Sequence, residues 1–465
     1  MVRGQIISDR IEVFISYSHN DEPLRNELEK HLSILKRQGL ISTWHDRNIS
    51  AGEEWKGQID EHLDSAQIIL LLISADFLAS DYCYDIELKR AIERHDVGDA
   101  RVIPIILRPV EWKGAPFGRL EALPTNAEPI TSKKWGSLDE ALADVARGLK
   151  GTLESIPRPP KSPPNGPKKL IVDQMGRGNY ALISDAIKAA DPGDIILVRP
   201  GLYEEGIQID KPLEIVGEGE RDDIELRAMG IAHAIAFKAP TGRVANLTVR
   251  QMSDSEFCCV DISRGRLILE QCDLSSKGDC CISIHDYADP RIRRNNIHNN
   301  KNGIIITEHG QGLLEDNDIS ENPNSDIQIL KGGNPTLRRN RIHDGKGNGV
   351  LVIDNGLGIL EDNDIFGHEL PQVAVEAGGN PTLRRNRIHD AKGDGVRVNN
   401  SGLGILEDND IYGHESPQIA IDTGGNPTLR RNRIHDAKSN GVRVTDNGLG
   451  ILEDNDIYGH ESPQI

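Results

Sequence analysis

The sequence predicts two differently built bodies. One is a doubly wound parallel α/β domain over residues 1–152, and the other is a parallel β-solenoid over residues 170–465, with a proline-rich linker at 153–169. Three observations carry this reading. Short apolar runs alternate with amphipathic stretches up to about residue 150, prolines crowd the stretch "SIPRPPKSPPNGPKK", and a 23-residue unit repeats through most of the remainder. A chain of 465 residues also exceeds what a single hydrophobic core usually organises.

In the first body the runs "IEVFISYS", "LISTW", "AQIILLLIS", "ARVIPIILR" and, more weakly, "AEPITS" read as five strands. Between them lie helical patterns such as "EPLRNELEKHLSILKRQ", where Leu24, Leu28, Leu32 and Leu35 share a face, and "EEWKGQIDEHLDSA". Strands joined by helical crossovers give a flavodoxin-like sheet. In such sheets ligands sit beyond the carboxyl ends of the strands, so the loops after "FISYS", "STW" and "LLLIS" should share one mouth. The segment "SIPRPPKSPPNGPKK" has little apolar surface to bury and reads as a semi-rigid, extended spacer.

In the second body "GGNPTLRRNRIHD" recurs with Asn334, Asn380 and Asn426 in register, and "LEDNDI" falls halfway between copies. Asn340, Asn363, Asn386, Asn409, Asn432 and Asn455 then follow one another at a step of 23, and Asn317 and Asn295 continue the series upstream with one deletion. A unit this short, built of segments such as "GVRVN" broken by Gly and Asn-Pro, suits one coil of a solenoid of about thirteen coils. In the pattern L-x-x-N-x-I the Leu, Asn and Ile should face inward, the asparagines bonding from coil to coil. Outward columns alternate in sign: Arg338, Glu361, Arg384, Glu407, Arg430 and Glu453 form one, and Arg341, Asp364, Arg387, Asp410, Arg433 and Asp456 another. Each cation is expected between two anions, a pattern that also fixes register.

"FCCVDIS" and "DCCISIH" place Cys258 over Cys280 and Cys259 over Cys281. Alternation with Val260 and Ile262 predicts Cys258 and Cys280 inward and Cys259 and Cys281 outward, as stacked thiols rather than a metal site. The repeated histidines His343, His389, His435, His368, His414 and His460 read as a repeating solvated turn. No metal site is expected.

The 54 basic and 73 acidic residues leave a net charge of −19, which disfavours nucleic acid and anionic membranes as partners. No apolar run approaches the ~20 residues that span a bilayer. Six cysteines in this length fit a reducing compartment, and the expected location is the cytoplasm.

Taken in order, "VFISYSHND", "WHDRNISAGEEW" and "LLLISADFLASDYCYDIELKRA" resemble a Toll/interleukin receptor (TIR) domain of the bacterial kind. The resemblance implies cleavage of the nicotinamide–ribose bond of NAD⁺, taken as substrate with no other cofactor. It also implies one essential glutamate at the start of the helix after the third strand, here Glu87. A single carboxylate can suffice because nicotinamide leaves a cationic ring as a neutral molecule, whereas sugar leaving groups need protonation. The anion would stabilise the oxocarbenium charge that develops as the bond breaks. Substrate contacts are expected from Ser16, Ser18, Asp46, Arg47, Tyr82 and Cys83, with Arg47 suited to a diphosphate. The family also implies self-association through TIR domains.

"YALISDAIKAADPGDIILVRPGLYEEGIQIDKPLEIVGEG" resembles the start of a pectin-lyase-like right-handed β-helix, with a helix near 180–190 capping the first coil. The expected whole is an NAD⁺ hydrolase activated by assembly, with the β-helix as sensor of an unknown ligand or as an oligomerisation module, in antiphage defence. Two alternatives stand beside it: a non-enzymatic TIR adaptor, and a carbohydrate-binding or carbohydrate-cleaving β-helix.

Overall fold

The computed structural model describes residues 11–45, 62–63, 66–80, 88–96, 100–155, 167–230 and 232–463. It divides into two compact units, residues 1–162 and 163–465.

The first unit is built on β1 (Ile11–Ser16), β2 (Ile41–Trp44), β3 (Ile68–Ile73) and β4 (Arg101–Ile106), all parallel in the order β2-β1-β3-β4. The β-branched runs suit a sheet buried on both faces, and every residue of β3 is buried. One face packs against α1 (Glu22–His31), α2 (Ser33–Arg37) and α5 (Leu138–Ser155) through Leu28, Leu32, Leu35, Leu142 and Val145. The other carries Phe77 and Ala91 from α3 (Ala75–Leu78) and α4 (Lys89–Asp96). The expected fifth strand, "AEPITS", is not a strand among the described residues. Its place beside β4 is filled by irregular chain whose Leu123, Ile130 and Thr131 amides donate to Pro104, Ile106 and Leu107. Two prolines, Pro124 and Pro129, deprive this stretch of donors for a regular ladder.

The second unit is a parallel β-solenoid. Its strands form three sheets of 12, 11 and 13, each strand pairing with its counterpart one coil away. Ile183, Ala186 and Ile187 of α6 (Ile183–Ala189) are buried against the first coils. Leu360, Ile365 and their counterparts point into a continuous apolar core. Corner residues such as Arg339 (φ 51°) and Asp362 (φ 56°) take the left-handed conformation, which bends the chain from one sheet to the next. The next residue is the inward asparagine, and these form an unbroken ladder from Asn295 to Asn455. In it Asn386 Nδ2 lies 3.0 Å from Asn409 Oδ1, and Asn409 Nδ2 lies 2.9 Å from Asn432 Oδ1.

The ionic columns form with a different geometry from the expected sandwich. Glu361 is flanked by Arg338 and Arg384, at 3.3 and 3.1 Å. In the second column the ion pairs of Arg341, Arg387 and Arg433 among the described residues run to the aspartate one coil earlier, at 3.3, 3.3 and 3.4 Å. On their other side Arg387 and Arg433 donate to the Tyr412 and Tyr458 hydroxyls.

Two readings of the repeats are corrected. Cys258 and Cys280 are joined in a disulfide, while Cys259 and Cys281 are fully buried, free and part of the core. The strand begins only at Val260, so its alternation does not extend back through the turn that holds the cysteines. The histidines are not a solvated turn either. His343, Phe366, His389, Tyr412, His435 and Tyr458 stack ring on ring with centroids 4.9–5.1 Å apart. Each of these imidazoles is held by two carboxylates, as His389 is by Asp364 and Asp390. His368 and His414 are buried in the solenoid wall, bonded to Gln372 and Gln418, and burial pushes the His414 imidazole down to about 4. The same repeated residue type thus meets different surroundings at different corners of the coil, an ionic aromatic stack at one and the closed wall at the other.

Candidate functional site

Because all four strands of the first unit run parallel, their carboxyl ends lie along one rim. There β1 ends at Ser16 and leads through Tyr17 and Ser18 into a 3₁₀ turn, His19–Asp21, closed by the Asp21 amide donating to the Ser18 carbonyl at 2.7 Å. Asp21 is fully buried and accepts the hydroxyl of Ser74, the residue after β3. Arg108, which follows β4, reaches the same carboxylate at 3.1 Å and Asp76 at 3.0 Å. Three strand ends are therefore tied together by one buried acid. Burial raises the Asp21 pKa, and the Ser74 bond and the Arg108 charge oppose that shift only in part.

A second polar knot fastens the end of β2. Arg25 of α1 is nearly inaccessible, and it contacts the Tyr17 hydroxyl at 3.1 Å, His45 Nε2 at 2.7 Å, and Glu22 and Glu29 at 3.2 Å each. A buried guanidinium is tolerable here because its charge is matched by two carboxylates. Glu29 also accepts from Lys36 at 2.7 Å and Thr43 at 2.9 Å. The His45 bond, with those from Lys36 and Thr43, outweighs burial and holds the Glu29 carboxyl well below the usual range. An open depression of about 990 Å³ follows α1 from His19 and Asn20 to Lys30.

A carboxyl whose folded pKa lies below its ordinary 4.5 stabilises the fold fully above that value, and the stabilisation is lost as pH falls. Glu29→Gln is expected to cost about 2 kcal/mol at neutral pH. The difference between wild type and variant should shrink on acidification below the ordinary carboxylate range. Urea unfolding followed by tryptophan fluorescence at several pH values checks this, and a difference that grows toward acid would refute it.

Of the residues expected from sequence, Ser16 and Ser18 lie at this rim, both buried. Glu87, Asp46, Arg47, Tyr82 and Cys83 lie outside the described residues. The sequence reading missed Asp21, Arg25, Ser74 and Arg108. The available signal was position: Ser74 and Arg108 sit one and two residues beyond the ends of buried strands.

The comparisons agree with this architecture. The TIR domain family matches residues 13–136, and the right handed beta helix region matches residues 233–371 and 348–465. The chain belongs to the right-handed β-helix family and carries a TIR domain. Among curated relatives, an uncharacterized protein, y4lF, of Sinorhizobium fredii (strain NBRC 101917 / NGR234) is 56% identical over 152 residues, which is 33% of this chain and 46% of the relative. F-box protein SKIP5 of Arabidopsis thaliana is 36% identical over 110 residues, 23% of this chain and 39% of the relative. The matches therefore span less than half the length of these relatives. Among solved structures, the A-modules of the Azotobacter vinelandii mannuronan C-5 epimerases AlgE4 and AlgE6 are similar at 17% and 15% identity, with TM-scores of 0.43 and 0.46. They align with 60% of this chain and with 90% and 91% of their own. No described helix of the TIR-domain protein is long and apolar enough to cross a membrane.

Proposed function

We propose that the TIR domain hydrolyses NAD⁺ at the nicotinamide–ribose bond, with Glu87 as the catalytic carboxylate and Ser16, Ser18, Asp46, Arg47, Tyr82 and Cys83 around the substrate. The reaction needs one anion beside the ribose, because the leaving group departs neutral and the developing charge is positive. The reading rests on the TIR match over residues 13–136. It draws further support from the parallel rim where Asp21 ties together the ends of β1, β3 and β4, which gives loops on that rim a rigid base. NAD⁺ is the partner. Clustering of TIR domains activates the chain, the β-helix serves as sensor or oligomerisation module, and the setting is cytoplasmic antiphage defence.

The test is incubation of the purified chain with NAD⁺ at low and high protein concentration, with products identified by mass spectrometry. Nicotinamide release with ADP-ribose or a cyclised isomer is expected, with a specific rate that rises with concentration. An assembled chain that leaves NAD⁺ intact would overturn the proposal and leave a TIR adaptor.

A further inference from the structure

The corner column of the solenoid follows a rule. Each arginine in it grips the aspartate one coil earlier: Arg339 holds Asp316 at 2.8 and 3.1 Å, Arg385 holds Asp362 and Arg431 holds Asp408. These are forked guanidinium–carboxylate pairs, a strong and directional form of such a bond. The rule breaks once. Arg294 occupies the same corner (φ 54°), but the residue one coil earlier is Gln271 (φ 55°), a neutral amide. The next acid along, Asp316, is already taken by Arg339. Arg294 is exposed and has no ionic partner among the described residues.

At this break the surface opens into a cavity of about 480 Å³, lined by Glu220, Arg221, Asp222, Asn246, Gln271 and Arg294. All six side chains are polar. Arg221 is occupied by Asp222 at 2.9 Å. The Asn246 amide is turned into the backbone, donating to the Gly217 and Gly219 carbonyls at 3.0 and 2.9 Å. Among the described residues, Arg294 is therefore the cavity's cation without a carboxylate partner, and Gln271 stands where the other corners place that carboxylate.

We propose that this cavity binds a small hydrophilic carboxylate. The ligand's carboxylate takes the place of the aspartate that the other corners have, forking onto Arg294, and its hydroxyl groups meet the Gln271 amide and the Glu220 carboxylate. An apolar acid is disfavoured because no apolar side chain lines the space, and a polyanion is disfavoured by Glu220 and Asp222. The site stands independently of the nucleotide chemistry proposed for the TIR domain.

The test is titration of the full-length chain with gluconate, with glucose as the uncharged polyol and inorganic phosphate as the other oxyanion, read by calorimetry. Gluconate should bind, glucose should not, and phosphate should bind more weakly. Arg294→Gln should weaken gluconate roughly tenfold or more, the usual effect of losing a charge-assisted pair. Gln271→Asp is the sharper variant. It restores the rule by placing an acid before Arg294, so it should abolish gluconate binding while the thermal midpoint stays level or rises. Equal affinity in wild type and Gln271→Asp, absence of gluconate binding to the wild type, or binding of glucose as tight as gluconate would each overturn the proposal.

Discussion

Glu87→Ala is expected to lower the rate of NAD⁺ cleavage by a factor of about a hundred to a thousand, the usual loss when a group aimed at developing charge is removed. Two further substitutions separate the possible causes. Glu87→Gln retains the size and hydrogen-bonding capacity of the side chain but removes the anion, so it should be nearly as impaired if charge stabilisation is what matters. Asp85→Ala removes a neighbouring acid with no assigned role and should leave turnover close to that of the wild type. Nicotinamide release, measured at a protein concentration where the wild type is active, is the readout. Sedimentation of each variant establishes that assembly is retained, so a lost rate cannot be mistaken for a lost oligomer. Wild-type turnover in Glu87→Gln would remove this residue from the mechanism.

The solenoid was legible because its constraints repeat. A buried amide at Asn340, Asn363 and Asn386 is visible as an exact recurrence, and Leu360 and Ile365 inherit their inward direction from it. Alternating charge was equally plain, but its geometry was not. Whether Arg387 is sandwiched or bonded on one side depends on Tyr412, which competes for the guanidinium from the following coil. The cysteine pairs were misplaced because period-two alternation was extended through a turn, and a turn obeys no such period. The histidines were misjudged for a related reason. His389 and His414 both look outward in a repeat alignment, yet one stacks in an aromatic column and the other is enclosed in the wall, where Gly395 leaves space against its ring. At the TIR rim four of the five expected strands are present, but the residues tying them together were not legible, since Asp21, Ser74 and Arg108 are far apart in sequence and meet only through the fold.

The asparagine ladder makes the solenoid sensitive at a point where few natural interactions would be. Asn386 Oδ1 accepts both the backbone N–H of Asn363 at 3.0 Å and its side-chain amide at 2.9 Å, while Asn386 Nδ2 donates to the Leu360 carbonyl at 2.9 Å and to Asn409 at 3.0 Å. Asn386→Ala removes the acceptor of two buried donors and the donor of one buried carbonyl in a wall with no access to solvent. Asn363 Nδ2 keeps the Leu337 carbonyl at 2.9 Å, so two groups are left orphaned, and at roughly 1–3 kcal/mol for each the expected loss is about 2–6 kcal/mol. Asn386→Asp should do no better: one oxygen still accepts from Asn363, but the other faces the Leu360 carbonyl and the Asn409 oxygen, all acceptors. In a stack of nearest-neighbour coils the damage should be local, because each coil is held chiefly by the two beside it. Hydrogen exchange should show lost protection in strands Leu360, Leu383 and Leu406 belong to, with the coils near Ile215 unaffected. Asn455→Ala, at a half-exposed rung, should cost distinctly less because water can replace the lost partners. Equal losses at the two positions would mean that packing alone, and not amide pairing, holds the coils in register.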